Sequence, residues 1–286
     1  MKIAAAAIQM PSSLGEVVAN VDRADDLLRQ AHDDGVELAV LPEMFNTGYG
    51  LLPDYTTLAE GRNGPTIRHL AERARRWDMT IAAGFVERDG RHLFDALAIV
   101  EPEGLVEVYR KRHLVFWERF RFKPGRAPVV AATRFGRVGL AICADMIYSQ
   151  VWADYRGRID MAIVAAAWPE FSCRHSGRSH WLFGHVGPLS GAIPSTVAVD
   201  LDIPVVFANQ TGVTQTTIPI LRTRISDTFA GLSSVSDGRR GPSVVAGTSE
   251  QILISELTIT PNRGARPCPS TSASALAGSS SVSAHS

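Results

Sequence analysis

Short apolar runs alternate along the chain with stretches whose apolar residues recur every three to four positions. KIAAAAIQ (residues 2–9) is followed by the amphipathic GEVVANVDRADDLLRQAHDDG (15–35) and then by VELAVLPE (36–43). The first and third read as strands and the second as a helix. The order repeats, with GPTIRHLAERARRWDM (64–79) as helix and TIAAGFVE (80–87) as strand. HLFDALAIVEPEGLVEVYRK (92–111) then reads as two strands around a Glu-Gly turn, and TRFGRVGLAICAD (133–145) as a turn leading into a buried strand. Further on, SQVWADYRGRI (149–159) leads to DMAIVAAAWP (160–169), and TVAVDLD (196–202) to IPVVFANQTG (203–212), each as helix then strand. FAGLSSVSDGRRG (229–241) and EQILISELTI (250–259) supply the last turn and strand patterns.

This alternation predicts an α/β fold in which helices pack against sheet, with both hairpins expected in the same mixed sheet system. One domain over residues 1–262 accommodates all of it. From 263 to 286 the chain is rich in Ser and Ala, poor in charge and nearly free of large apolar residues, the composition of a disordered tail.

Composition narrows the partners. With 45% hydrophobic residues the chain can bury a large core, and 29 basic residues against 29 acidic ones leave no net charge. Neither a nucleic-acid nor a membrane partner is indicated, since basic clusters and apolar runs of spanning length are missing from the sequence. Three widely spaced cysteines, an odd number, fit a reducing compartment better than a disulfide framework. MKIAAAAIQM is short for a signal peptide, so a soluble, cytoplasmic protein is expected.

In α/β sheets ligands gather beyond the carboxyl ends of strands. Glu43 follows LAVLP, Lys111 follows LVEVYR and Cys143 closes VGLAI. Each alone has an ordinary use: a helix-start carboxylate, a surface cation, a small core residue. Together they form a chemical set. A thiol of ordinary acidity is mostly protonated near neutrality, so a nucleophilic cysteine needs a base or a nearby cation. Glu43 is placed to take the thiol proton and return it to a leaving amine, and Lys111 to stabilise an oxyanion, with the backbone N–H of Ala144 as second donor.

LPEMFNTGY (41–49), YRKRHL (109–114) and GLAICAD (139–145) resemble, in order and spacing, the three signature motifs of the nitrilase superfamily, the carbon-nitrogen hydrolases. The resemblance extends over nearly all of residues 1–260. It implies a four-layer α-β-β-α sandwich and a Glu-Lys-Cys triad of Glu43 as base, Lys111 as oxyanion cation and Cys143 as nucleophile, with no metal or organic cofactor. Glu118, in ERFRFKPG, matches a supporting glutamate, against its reading as an exposed loop acid between arginines. Tyr49, His113, Ile147 and Trp168 are candidate pocket residues, while Asp145 and Asn209 read as structural. The Cys-x-Asp pattern leans towards a small linear amide as substrate. A carbamoyl hydrolase, a nitrilase, an acyltransferase or amide synthase using the same thioester, and a non-catalytic binding member remain alternatives. The family also implies a homo-oligomer, most simply a dimer, near 148–156 and 250–257, where Trp152 and Tyr155 serve either an interface or the core.

The pattern departs in two places. Ile147 stands where carboxylate-reading members carry arginine, which favours neutral amides unless Arg174 or Arg178 compensates. Residues 171–194 fit the family poorly and suggest a pocket-lining segment. Cys173, His175, His180 and His185 fall in that region, but their spacings fit no common zinc pattern.

Overall fold

The computed structural model describes residues 1–51, 54–170, 174–175, 178–179, 187–218, 223–238 and 241–261; of residues 174–175, 178–179, 187, 214–218, 223–227, 241 and 243 it describes the backbone alone. Two six-stranded sheets carry the fold. The first contains β1 (Lys2–Gln9), β2 (Leu38–Val40), β3 (Thr80–Asp89), β4 (His92–Glu101) and β5 (Gly104–Arg110). The second contains β6 (Val130–Thr133), β7 (Gly136–Ile142) and β8 (Met161–Ala166). After two-residue strands β9 (Arg174–His175) and β10 (Arg178–Ser179), β11 (Val205–Asn209) joins the second sheet, and β12 (Val213–Ile218) and β13 (Thr223–Thr228) form a separate hairpin. β14 (Ser234–Asp237) and β15 (Gly241–Val245) complete the second sheet, and β16 (Gln251–Thr258) returns to the edge of the first.

Both sheets share a plan. Three parallel strands, β1-β2-β3 in one and β7-β8-β11 in the other, are flanked on each side by antiparallel neighbours. The mixed α/β reading is therefore correct, with one correction. The hairpins β4-β5 and β6-β7 lie in different sheets, because the chain from 112 to 129 crosses between them. Local periodicity carries no information about which sheet a hairpin joins.

The strand pattern of small residues explains how the layers close. Ala5 and Ala7, Leu38 and Val40, and Leu97 and Ile99 pack in the core shared with Leu140, Ile163 and Val206 of the second sheet. Their alternates, Ala6, Ile8, Ala39, Ala83, Phe85 and Ala96, face Leu27, Leu28, Ile67 and Leu70 of α1 (Val17–Asp33) and α3 (Pro65–Trp77). Between those two helices lies the single turn α2 (Tyr55–Leu58). α3 starts on Pro65 behind Gly64, where a missing N–H costs nothing, and stops at Asp78 in a left-handed conformation. After the short α4 (Glu118–Arg121), α5 (Ser149–Tyr155) and α6 (Gly187–Leu201) cover the second sheet through Val151, Trp152, Tyr155, Val197 and Ala198. The order helix, sheet, sheet, helix is the expected four-layer sandwich.

Trp152 and Tyr155 resolve in favour of the core. Trp152 Nε1 donates to Met146 O at 2.9 Å and the Tyr155 hydroxyl to Leu140 O at 2.7 Å, inside the subunit. Both side chains are buried within the subunit. Among the described residues no helix is long and apolar enough to cross a membrane. The Ser/Ala-rich stretch 263–286 lies outside the described residues.

Candidate active site

Glu43 stands three residues past β2, and its backbone is held from two sides. Gln210 Nε2 donates to Glu43 O at 2.7 Å. On the other side β3 approaches so closely that a Cβ at Gly84 would lie 2.5 Å from the Glu43 Cα. Only glycine permits that approach. Lys111 is the residue after β5 and continues its register: its N–H donates to Asp95 O at 2.9 Å. Asp95 and Lys111 thus face one side of the sheet while Phe94 and Arg110 face the other. Glu118 opens α4.

Cys143 directly follows β7 with φ at +46°, a conformation a side-chain-bearing residue adopts at a cost of about 1–3 kcal/mol. From there Cys143–Ile147 runs as a 3-10 turn. The turn is held by Asp145, whose buried carboxylate accepts from Tyr109 OH at 2.7 Å, Ile142 N at 3.2 Å and His113 N at 2.9 Å. His113 Nδ1 lies 2.8 Å from the same carboxylate, and its ring stacks on Tyr148. Asp145 is structural, as the sequence suggested.

The charged side chains converge in a dry space. Lys111, Glu43, Asp95 and Glu118 have no solvent exposure at all. The Lys111 ammonium donates to Glu43 Oε1 and to Glu118 Oε1, each at 2.6 Å, and stands 3.2 Å from Asp95 Oδ2. Glu43 Oε2 accepts from Ala167 N–H at 2.6 Å. Glu118 Oε1 also accepts from the Tyr49 hydroxyl at 2.7 Å, and Oε2 from Val115 N–H at 2.9 Å. Of the two readings of Glu118, the buried partner of Lys111 is the one the fold realises.

Burial works against the Lys111 charge, but Glu118, Glu43 and Asp95 outweigh it and hold the ammonium well above its usual range. Burial first, then the charge of Glu43, pushes the Cys143 thiol well up against the opposing Lys111. The thiol therefore rests protonated, and its activation needs a base at the moment of attack. Burial likewise raises Tyr49 and keeps it a neutral donor to Glu118.

Trp168 is buried, its backbone N–H held by Asn209 Oδ1 at 2.7 Å, which accounts for the structural reading of Asn209. Ile147, at the end of the turn, is 51% exposed and outside the buried cluster. Ala144 is buried directly after Cys143. The residue that sequence reasoning missed is Asp95. Its signal was present, a lone acid inside the apolar run HLFDALAIV.

Glu43, Asp95 and Glu118 are the one carboxyl trio with metal-like spacing among the described residues, and the Lys111 ammonium already bridges them. Of the zinc candidates, Cys173, His180 and His185 lie outside the described residues, and only the backbone of His175 is described. The same holds for the side chains of Arg174 and Arg178, whose backbones pair in the β9-β10 hairpin.

The chain matches the carbon-nitrogen hydrolase family model over residues 4–234. It is 33% identical to a nitrilase of Pyrococcus abyssi over 147 residues, half of this chain and 56% of that one. It is 28% identical to an omega-amidase of Mus musculus over 253 residues, 84% and 83% of the two chains. The bovine omega-amidase match spans 61% of that protein, so the chain aligns with little more than half the length of several of its relatives. Solved structures agree on the fold. A carbon-nitrogen hydrolase of Helicobacter pylori superposes with a TM-score of 0.77 at 21% identity, covering 90% of each chain. A variant amidase of Nesterenkonia superposes at 0.73 with 18% identity, covering 89% and 90%, and carries the acetamide moiety of fluoroacetamide on its active-site cysteine. With the family pattern running through both sheets and through the strand ends that hold Glu43, Lys111 and Cys143, the chain belongs to the carbon-nitrogen hydrolases of the nitrilase superfamily.

Proposed function

We propose that the protein hydrolyses the carbon-nitrogen bond of a small linear amide through a thioester on Cys143. The observation that carries this reading is a buried thiol on a strained turn beside the dry Glu43-Lys111 pair. Glu43 takes the thiol proton as Cys143 attacks the carbonyl carbon. The tetrahedral oxyanion is stabilised by the Lys111 ammonium and the Ala144 N–H. Collapse breaks the carbon-nitrogen bond, and Glu43 returns its proton to the leaving ammonia or amine. Water, deprotonated by Glu43, then adds to the thioester, and the acid and free thiol are released. Glu118, held by Tyr49 and Val115, fixes Lys111. The acetamide adduct on the active-site cysteine of the Nesterenkonia amidase supports a nucleophilic cysteine, and the omega-amidase relatives support an amide as substrate.

Neutral amides are the preferred class, because one cation faces three carboxyl groups in the cluster and a substrate carboxylate would add a fourth. Tyr49, His113 and Trp168 are proposed to line the acyl pocket. The unit over 1–262 is proposed to act in the cytoplasm as a homo-oligomer, which light scattering tests. The deciding experiment is ammonia release from a panel of small amides, carbamoyl compounds and nitriles by wild type and Cys143→Ala. Turnover of an amide by wild type, abolished in the variant, is expected, with an acyl adduct on intact protein by mass spectrometry. Cys143→Ala activity within about tenfold of wild type overturns the nucleophile.

A further inference from the structure

Three carboxyl groups surround one ammonium. Glu43, Asp95 and Glu118 each bring an oxygen within 4.8 Å of the others, and all three are fully buried. If all were ionised, three negative charges would face one positive charge away from water, a cost that proteins relieve by binding a proton.

The hydrogen bonds show where that proton sits. Glu43 accepts from Lys111 and Ala167, and Glu118 accepts from Lys111, Tyr49 and Val115. Asp95 accepts from nothing: neither of its oxygens makes a hydrogen bond, and Lys111 at 3.2 Å is an ion-pair neighbour only. A carboxylate without donors is the most expensive of the three to keep charged. Protonation would turn that acceptor-only group into a donor, and Glu43 is the carboxylate it faces. We propose that Asp95 is a neutral carboxylic acid in the resting enzyme and donates a hydrogen bond to Glu43, acting as a positioning residue for the base.

Burial and then the charge of Glu43 push the Asp95 carboxyl well above the usual carboxylate range, further than Lys111 pulls it down. The other ionisable groups that act on it are Glu118 and Tyr55, while Cys143 and Tyr49 act on Glu43 and Lys111 beside it. Glu87 and Arg110 lie with Phe94 on the opposite side of β4. A donor aimed at Glu43 stabilises its ionised form and fixes one oxygen, leaving the base ready for the thiol proton. The inference rests on the reading of Glu43 as base, but its first test does not involve turnover.

Infrared spectroscopy near neutral pH reads the proton directly, since only a buried acid retains a carboxylic C=O stretch there. The wild type is expected to show that band and Asp95→Asn to lose it. Absence of the band in wild type, or its survival in Asp95→Asn, overturns the proposal whether or not the protein turns over an amide. The second arm is kinetic. Asn is neutral, similar in shape and still a donor, so Asp95→Asn should keep kcat within about tenfold of wild type. Asp95→Ala should lose kcat by about a hundredfold or more with a smaller change in KM. Equal loss in Asp95→Asn and Asp95→Ala would mean that the charge of Asp95 is needed, and would overturn the proposal. Should Asp95→Ala fail to fold, the infrared band and the Asn variant still decide it.

Discussion

Arg110 and Lys111 are neighbours in the chain, yet their side chains leave opposite faces of the first sheet and enter different chemical worlds. Arg110 binds Glu87 through two hydrogen bonds at 2.6 and 2.8 Å, reaches Asp89 at 2.8 Å and lies over Phe94. Arg62 adds a second cation on Glu87 at 2.9 Å, so the charges balance, and the Arg110 side chain stays 23% exposed. Lys111 instead faces three carboxyl groups with no exposure, and among the described residues no second cation pairs with them. Its neighbours Asp95, Glu118 and Cys143 are all pushed towards their neutral forms, burial being the largest cause each time. On the Arg110 side the hydrogen bond to Glu87 is the largest cause, and it only locks the guanidinium more firmly into its charge. Pairing alone builds scaffold. Pairing that is dry and unbalanced builds groups whose protons are available for transfer.

The contrast is sharpest if Lys111 is removed. Lys111→Met should lower kcat by roughly 10²–10³ if Lys111 is the oxyanion cation proposed above. It should also cost about 3–5 kcal/mol of stability, because Glu43 and Glu118 remain buried without their shared donor. Urea unfolding and amide turnover check both; a fully stable variant would mean the cluster is wetter than its burial says.

Next in size is a pH effect from Cys143. A thiol raised in the native state keeps its proton there while the unfolded chain releases it above about pH 8.5, so its stabilising contribution is complete below that value and lost as pH rises. The slope is about 1.4 kcal/mol per pH unit for one group. Cys143→Ala should therefore flatten the fall in unfolding free energy between about pH 8.5 and 10. Parallel curves for the two proteins would place the thiol in an ordinary environment.

On the scaffold side, Arg110→Met should destabilise by about 1–2 kcal/mol, since Arg62 still partners Glu87 and water reaches the site. Its kcat/KM should stay within about threefold of wild type. A large loss of kcat would join the two clusters functionally and remove the distinction. Smallest is Lys2→Ala: Lys2 and Glu256 pair at 2.7 Å with side chains 67% and 63% exposed, and the change should stay below about 1 kcal/mol, vanishing in high salt.

Much of this architecture was legible in the chain. The apolar runs KIAAAAIQ and HLFDALAIV become β1 and β4, and the amphipathic stretches become α1 and α3 within a few residues. Three acid, base and thiol positions at strand ends pointed to Glu43, Lys111 and Cys143, and the fold brings Glu43 and Lys111 to 2.6 Å across 68 residues of sequence. The β12-β13 hairpin was not read, because VTQTTI and TRISDT lack a large apolar face.

What the sequence determined by itself was the alternation of layers, since side-chain period and turn chemistry are local properties. What only the tertiary structure decided was the partition of the hairpins between two sheets, the inward turn of Trp152 and Tyr155, and above all the place of Asp95. An acid in an apolar run says that something unusual surrounds it, but burial, the count of donors and the sign of nearby charge come from residues far away in the chain. Those long-range terms set the protonation of Asp95, Cys143 and Lys111, and no window of neighbouring residues contains them.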